Sequence, residues 1–192
     1  MIEQEANRIF EESGALLSGH FVLTSGRHSD RYFEKFHVLR HPEHVDTLCA
    51  ELARRCAQTR PDVVLGPTTL GILLAYGVAR HLGVPAAYGE KGPDGARFLR
   101  RPEHIAPGSR VLVVDDILTT GGSIRECIDL VERSSATLCG VGVLVDRSGG
   151  SVDFGVPLAS VLTLQVQSWA PDEIPDWLEA IPVHRPGSTG KK

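Results

Sequence analysis

The residues whose types and spacing can do chemistry are concentrated at positions 111–126, in the run VLVVDDILTTGGSIRE. Two carboxylates, Asp115 and Asp116, follow four apolar residues, and Thr119-Thr120-Gly121-Gly122-Ser123 then offers only small side chains and hydroxyls. Such a stretch lets backbone N–H groups converge on an anion. Paired carboxylates beside it accept hydrogen bonds from sugar hydroxyls or hold a divalent metal. The chemistry this combination points to is recognition of a phosphorylated sugar. The Walker pattern G-x-x-x-x-G-K-[ST] is absent, and a dinucleotide-binding loop would carry glycines where this one carries acids and threonines. The plain alternative is an ordinary strand, turn and capped helix, with both acids solvated.

The surrounding elements must hold these residues in place. Val111, Leu112, Val113 and Val114 read as a strand buried on both faces of a parallel sheet, ending in the two acids, where open α/β sheets bind ligands. Ser123 and Glu126 have capping-box spacing, so a helix is expected over 123–132 with its positive end behind the loop. Residues 42–58 have Pro at the start, Arg54-Arg55 near the end and apolar residues at spacings of three and four, which predicts a helix. A strand over 62–65 leads into Gly66-Pro67-Thr68-Thr69-Leu70-Gly71, a tight turn opening a helix to Leu82 and a second place for N–H groups to meet phosphate. Plain β–α connection is its alternative.

After a short strand at 85–88, the Gly, Pro and Asp content of 89–96 predicts a mobile loop, and long loops in compact domains often act as lids. Lys91, Arg97, Arg100 and Arg101 make a local basic run there, either functional or simply a solvated cationic hairpin. A strand over 137–145 ends in Asp146-Arg147, where the arginine offers a forked donor or pairs with Asp146 at the surface. A last strand is expected at 159–166. At the N-terminus, an amphipathic helix over 1–17 precedes a hairpin of two extended pieces, 21–23 and 31–36, with His28 read as a turn residue. Trp169 and Trp177 read as packing anchors.

With 192 residues and 42% hydrophobic content, the chain can bury one full core. We expect a single domain over 1–186, divided into an N-terminal segment of about 1–40, a core of about 42–166 and a capping segment at 167–186, with a disordered tail at 187–192. A net charge of −4 provides no global basic field for nucleic acid or an anionic membrane. The four cysteines include no C-x-x-C pair, so neither zinc nor a redox dithiol is expected. There is no apolar leader segment and no long apolar run, which points to the cytoplasm rather than to secretion or membrane spanning.

VVDDILTTGGS resembles the 5-phosphoribosyl-1-pyrophosphate (PRPP) binding motif of type I phosphoribosyltransferases. GHFVLTSGRHSDRYFEKF at 19–36, VDRSGG at 145–150 and IPVHRPG at 181–187 are similar to orotate phosphoribosyltransferases, and the likeness extends from Gly14 to Gly187. The resemblance implies an α/β fold of that type, a mainly parallel twisted sheet flanked by helices, with a small N-terminal hood. It implies transfer of phosphoribose from PRPP to orotate with Mg²⁺, by a homodimer that shares its active sites, binding neither nucleic acid nor membrane. Thr119, Thr120, Gly121, Gly122 and Ser123 would bind the ribose 5-phosphate. Asp115 and Asp116 would face the ribose hydroxyls and meet metal only indirectly or through substrate. Thr68 and Thr69 would lie in the pyrophosphate loop, Lys91 would be catalytic in a flexible loop, and Tyr32, Phe33 and Arg147 would bind the base. Thr24, Leu70 and Asp94 stand where the family commonly has basic residues. A phosphoribosyltransferase for another nucleobase, and a PRPP-sensing regulatory or RNA-binding protein of the same fold, therefore stay open.

Overall fold

The computed structural model describes residues 3–23 and 25–185, so the expectations for Thr24 and for the tail at 187–192 lie outside the described residues. In chain order the helices and strands are α1 (Glu3–Glu12), β1 (Leu16–Val22), β2 (His28–Phe33), α2 (Lys35–Leu39), α3 (Pro42–Cys56), β3 (Val63–Pro67), α4 (Leu70–Leu82), β4 (Ala86–Lys91), β5 (Arg97–Phe98), β6 (Arg110–Leu118), α5 (Gly122–Arg133), β7 (Thr137–Asp146), β8 (Leu158–Thr163), α6 (Asp176–Glu179) and β9 (Val183–His184). They form two compact units, Glu43–Leu164 and the described residues of 3–42 with 165–185.

The larger unit is built on a six-stranded sheet in the order β5-β4-β3-β6-β7-β8. All neighbours pair in parallel except β4 and β5. Val, Leu and Ile dominate β3, β6 and β7 because helices cover both faces and leave no wet side. On one face, Val111, Val113, Val141 and Val143 join Ile124, Cys127, Leu130 and Val131 of α5 in one buried cluster. On the other, Gly142 lies against Leu52 and Cys56 of α3, and Gly66 against Ala75 of α4. The mainly parallel sheet flanked by helices is thus the architecture the sequence predicts.

Glu51 on α3 is a buried acid, held by Arg54 at 2.8 Å and Arg55 at 2.7 Å. Arg55 also donates to the Ser160 carbonyl and so ties α3 to β8. All four cysteines are free and buried. Burial pushes the thiols of Cys49, Cys56 and Cys127 up to about 12.

The smaller unit has a three-stranded sheet in the order β2-β1-β9, with β1 antiparallel to β2 and parallel to β9. The expected hairpin forms, with strands longer than predicted on the β1 side and earlier on the β2 side. His28 is a strand residue rather than a turn residue: its backbone pairs both ways with Trp169, and its Nδ1 lies 2.6 Å from Nε2 of the buried His20. His20 Nδ1 lies 3.1 Å from the Ile181 carbonyl, so it must be the donor there, and when both rings are neutral His28 Nδ1 donates to His20 Nε2. Burial, and then His20, lower the pKa of His28. Trp169, half-buried, meets Trp177 edge-on at 5.8 Å, whereas Trp177 is 55% exposed and so is not the buried packing anchor expected of it.

Three boundaries differ from expectation for physical reasons. β4 runs through Lys91 and turns back as β5, so 89–91 is strand and the loop is confined to 92–96, which connects the two strands of a hairpin. Asp94 makes that turn: its carboxylate accepts from the Ala96 N–H at 3.1 Å. β6 continues past the two acids to Leu118. Helix α5 starts at Gly122 with Gly121 as its N-cap in the left-handed region, so Ser123 is already inside the helix and the capping box does not form.

Two outcomes follow from this packing. Glu51 has its pKa lowered, chiefly by the hydrogen bond from Arg54 and against the effect of burial. Its stabilising effect is therefore complete above the ordinary value of 4.5 and is lost as pH falls below it toward the folded-state value. Glu51→Gln should lower unfolding stability by about 2 kcal/mol at neutral pH, with the deficit shrinking in acid, as read by urea titrations across pH. At Gly66 a Cβ would come within 2.1 Å of the Gly71 carbonyl oxygen, which is backbone and cannot swing aside. Gly66→Ala should cost about 3 kcal/mol, the upper range for overpacking, measured as a fall in the urea midpoint.

Candidate active site

β6 and α5 present the motif residues. Asp115 and Asp116 are 8% and 6% exposed, which corrects the alternative in which they are solvated. They also lie within the strand rather than at its end. Consecutive strand residues face opposite sides. Asp115 therefore shares the α5 face with Val113, and Asp116 the α3–α4 face with Val114. The Asp116 N–H donates to Asp115 Oδ1 at 2.9 Å, which fixes the first carboxylate against the backbone.

Past Leu118, Thr119, Thr120, Gly122 and Ser123 are exposed and Gly121 is buried. Gly121 has φ +80, and a Cβ there would meet Phe154 Cζ at 3.0 Å and Val152 Cγ1 at 3.1 Å. Only glycine satisfies both conditions, and it sets the angle at which α5 departs. No side chain caps the helix and its first turn holds no acid. The amide groups and positive end of α5 are thereby open to an anion.

The turn before α4 comes close to this loop's neighbours through hydrogen bonds. Its Thr68 N–H donates to the Gly89 carbonyl at 3.0 Å, joining the turn to β4. The Thr68–Thr69 peptide is cis, and Thr69 is exposed. Leu70 opens α4 and supplies no charge.

The four basic residues of 91–101 separate into different roles. Arg100 is committed to a two-pronged pair with Glu90 at 2.7 and 2.6 Å, and Arg101 bonds to the Arg100 carbonyl at 3.3 Å. Arg97 is only 5% exposed and donates from Nη1 to the Gly89 carbonyl at 3.0 Å and to Thr68 Oγ1 at 3.4 Å. Lys91 keeps 56% of its side chain exposed and lies 3.4 Å from Glu126 Oε1. Glu126 Oε2 lies 2.9 Å from Arg97 Nε. Sequence spacing assigns Glu126 to a helix cap, yet it is the residue that draws the two cations together. Nothing in the sequence signals this, because the partners lie 29 and 35 positions upstream.

Arg147 follows β7, and its N–H donates to the Leu118 carbonyl at 2.8 Å, which sets it beside the carboxyl end of β6. Asp146 is buried and accepts from the Ser148 N–H at 2.7 Å, so it is a turn-forming acid rather than a surface one. In the smaller unit, Tyr32 stacks at 5.6 Å on Phe21, while Phe33 is buried edge-on against Phe10 at 5.1 Å. The Phe33 ring is thus a core group, and only its backbone is available to a ligand.

Among the described residues no group of three or more His, Cys, Asp or Glu is arranged to hold a metal. This donor set fits Mg²⁺ only as an ion carried largely by substrate phosphates and water, the usual arrangement for that cation.

Comparison with known proteins agrees with this geometry. Residues 37–154 match the phosphoribosyl transferase domain family. The chain is 50% identical over 188 residues to the orotate phosphoribosyltransferase of Pelotomaculum thermopropionicum, covering 98% of each chain. It is 45% identical to that of Desulforamulus reducens, again with 98% coverage of each. The crystal structure of orotate phosphoribosyltransferase from Aeropyrum pernix superposes with a TM-score of 0.69 at 32% identity, over 82% of this chain and 93% of that one. An open helix terminus behind a hydroxyl-rich loop, two buried acids on the strand before it and relatives matched almost end to end lead to one conclusion: the chain belongs to the orotate phosphoribosyltransferase family.

Proposed function

We propose that this protein transfers the 5-phosphoribosyl group of PRPP to N1 of orotate, giving orotidine 5′-phosphate and pyrophosphate for pyrimidine biosynthesis. The observation that carries the phosphoribosyl part is the uncapped start of α5 behind Thr119–Ser123, preceded by Asp115 and Asp116. The names of relatives at 41–50% identity favour orotate over another base and an enzyme over a sensor.

In this reading, Thr119, Thr120, Gly121, Gly122 and Ser123 hold the 5-phosphate with backbone and hydroxyl donors. Asp115 and Asp116 accept from the ribose hydroxyls. As the bond from the anomeric carbon to pyrophosphate breaks, its electron pair leaves with the pyrophosphate and positive charge grows on the sugar. The fixed carboxylates stabilise that charge, and preorganised charges act most strongly when they need not reorient during reaction. Lys91 meets the charge growing on the pyrophosphate, with the Thr68–Thr69 turn beside it. Arg147 orients the base, and base binding is also assigned to Tyr32 and Phe33.

Phosphoribosyltransferases generally use Mg²⁺, which neutralises the leaving group when bound. We assign Mg²⁺ to this protein as a substrate-borne ion. We further propose that both units act as one domain, that the active form is a homodimer and that the protein works in the cytoplasm. Among the described residues no helix is long and apolar enough to cross a membrane.

The test is loss of orotate ultraviolet absorbance on mixing with PRPP and Mg²⁺, with uracil and purine bases in parallel. Consumption of orotate alone is expected, stopping on chelation with EDTA and resuming with added Mg²⁺. Turnover of a different base in place of orotate would move the substrate. PRPP binding without turnover of any base would favour a sensor. Lys91→Ala should lower kcat by about 10²–10³-fold with no change in melting temperature, because the side chain is largely exposed.

A further inference from the structure

Glu126 is used by none of the roles above, yet it touches two basic residues of the site. Residues three and four apart share a helix face, so its carboxylate sits one turn behind Gly122 and Ser123 of the phosphate loop. Its two oxygens are divided, Oε1 at 3.4 Å from Lys91 Nζ and Oε2 at 2.9 Å from Arg97 Nε. The environments of the two cations differ sharply, with 56% of the Lys91 side chain exposed and 5% of Arg97's. Arg97 is further fixed by Gly89 and Thr68, and its main-chain oxygen accepts from Arg133 at 2.7 Å. Arg97 Nε and Glu126 Oε2 are both sealed from solvent, and neither completes an aligned hydrogen bond despite their separation. The contact is therefore held by charge rather than by directed bonding.

We propose that Glu126 is a positioning residue that serves as an exchangeable counter-ion. With the site empty it holds Lys91 beside the loop and keeps Arg97 braced against Thr68. When a polyanionic substrate arrives, the weaker, solvated contact to Lys91 is given up to the incoming phosphates. The Arg97 contact persists and keeps the Thr68 turn in register with β4. One carboxylate thus separates a cation that moves from a cation that does not. Lys91 is the group that reaches substrate, and Arg97 is a brace. This inference rests on the PRPP reading for the identity of the anion, but not for the existence of the counter-ion.

The test compares wild type with Glu126→Gln and Glu126→Asp. Without ligand, acylation of Lys91 by an amine-selective reagent, mapped by mass spectrometry, should be about two- to fivefold faster in E126Q, the scale of one partly exposed ion pair. Equal rates would overturn the counter-ion whether or not PRPP binds. By calorimetry at low salt, E126Q should bind PRPP about two- to fivefold more tightly, since a competing charge is gone. Its kcat with orotate should fall about tenfold as the braced turn loosens, because small misplacements are costly in rate. Tighter binding with slower turnover is a split that general destabilisation does not produce, and E126D should recover part of kcat. Weaker PRPP binding in E126Q, or unchanged kcat, would overturn the proposal. Failure of the wild type itself to bind PRPP would instead remove the functional reading, leaving the acylation result to judge the counter-ion.

Discussion

Burying two adjacent carboxylates inside a strand that is covered on both faces is the constraint on which this structure depends. Desolvating such groups is costly unless each finds compensation, so their surroundings must be rigid. Asp115 is anchored by the next residue's own N–H, and the strand carrying it has wholly buried apolar residues from Val111 to Val114. Parallel neighbours on either side, β3 and β7, prevent the strand from shifting register, because a slip of one residue would exchange the two faces. The positions of the acids are thus a property of the whole sheet and not of a flexible loop. A transition state that develops charge gains most from groups fixed in this way.

The same logic distinguishes what is rigid from what is not around the phosphate loop. Gly121 is wedged against Phe154 and Val152, and Arg125 lies over the Phe154 ring at 5.2 Å, so the segment after β7 supports the start of α5. The Thr68 turn is bonded to β4, and β4 to β5. Thr119, Thr120 and Ser123 of the loop, Thr69 of the turn before α4 and the Lys91 side chain are exposed. The framework is closed by apolar packing and main-chain bonds.

Much of this was legible in the sequence because it depends on local pattern. The apolar run before Asp115 gave its strand, and the three- and four-residue spacing around Leu48 and Leu52 gave α3. The hydroxyl-rich loop pointed to an anion. The misreadings arose where distant residues decide the outcome. Ser123 and Glu126 have capping-box spacing, but Gly121 can adopt a positive φ and claims the cap, and two cations brought in by β4 and β5 claim Glu126. Residues 89–96 have loop composition, yet Glu90 and Lys91 pair with Phe98 and Arg97 and make a hairpin. His20 carried no signal, since its partners, His28 and the Ile181 carbonyl, meet it only through the sheet of the smaller unit.

The buried cysteines have a practical consequence for chemical modification. Alkylating and maleimide reagents act on the thiolate, and burial holds Cys49, Cys56 and Cys127 protonated while also raising the pKa of Cys139. The native thiols should therefore react slowly with such reagents in the folded protein. A single cysteine introduced at an exposed position such as Pro93, in the hairpin turn, would lack that burial and should react faster than the native thiols. Fluorescent or paramagnetic reporters could then be attached beside Lys91 without first stripping the core of its own cysteines.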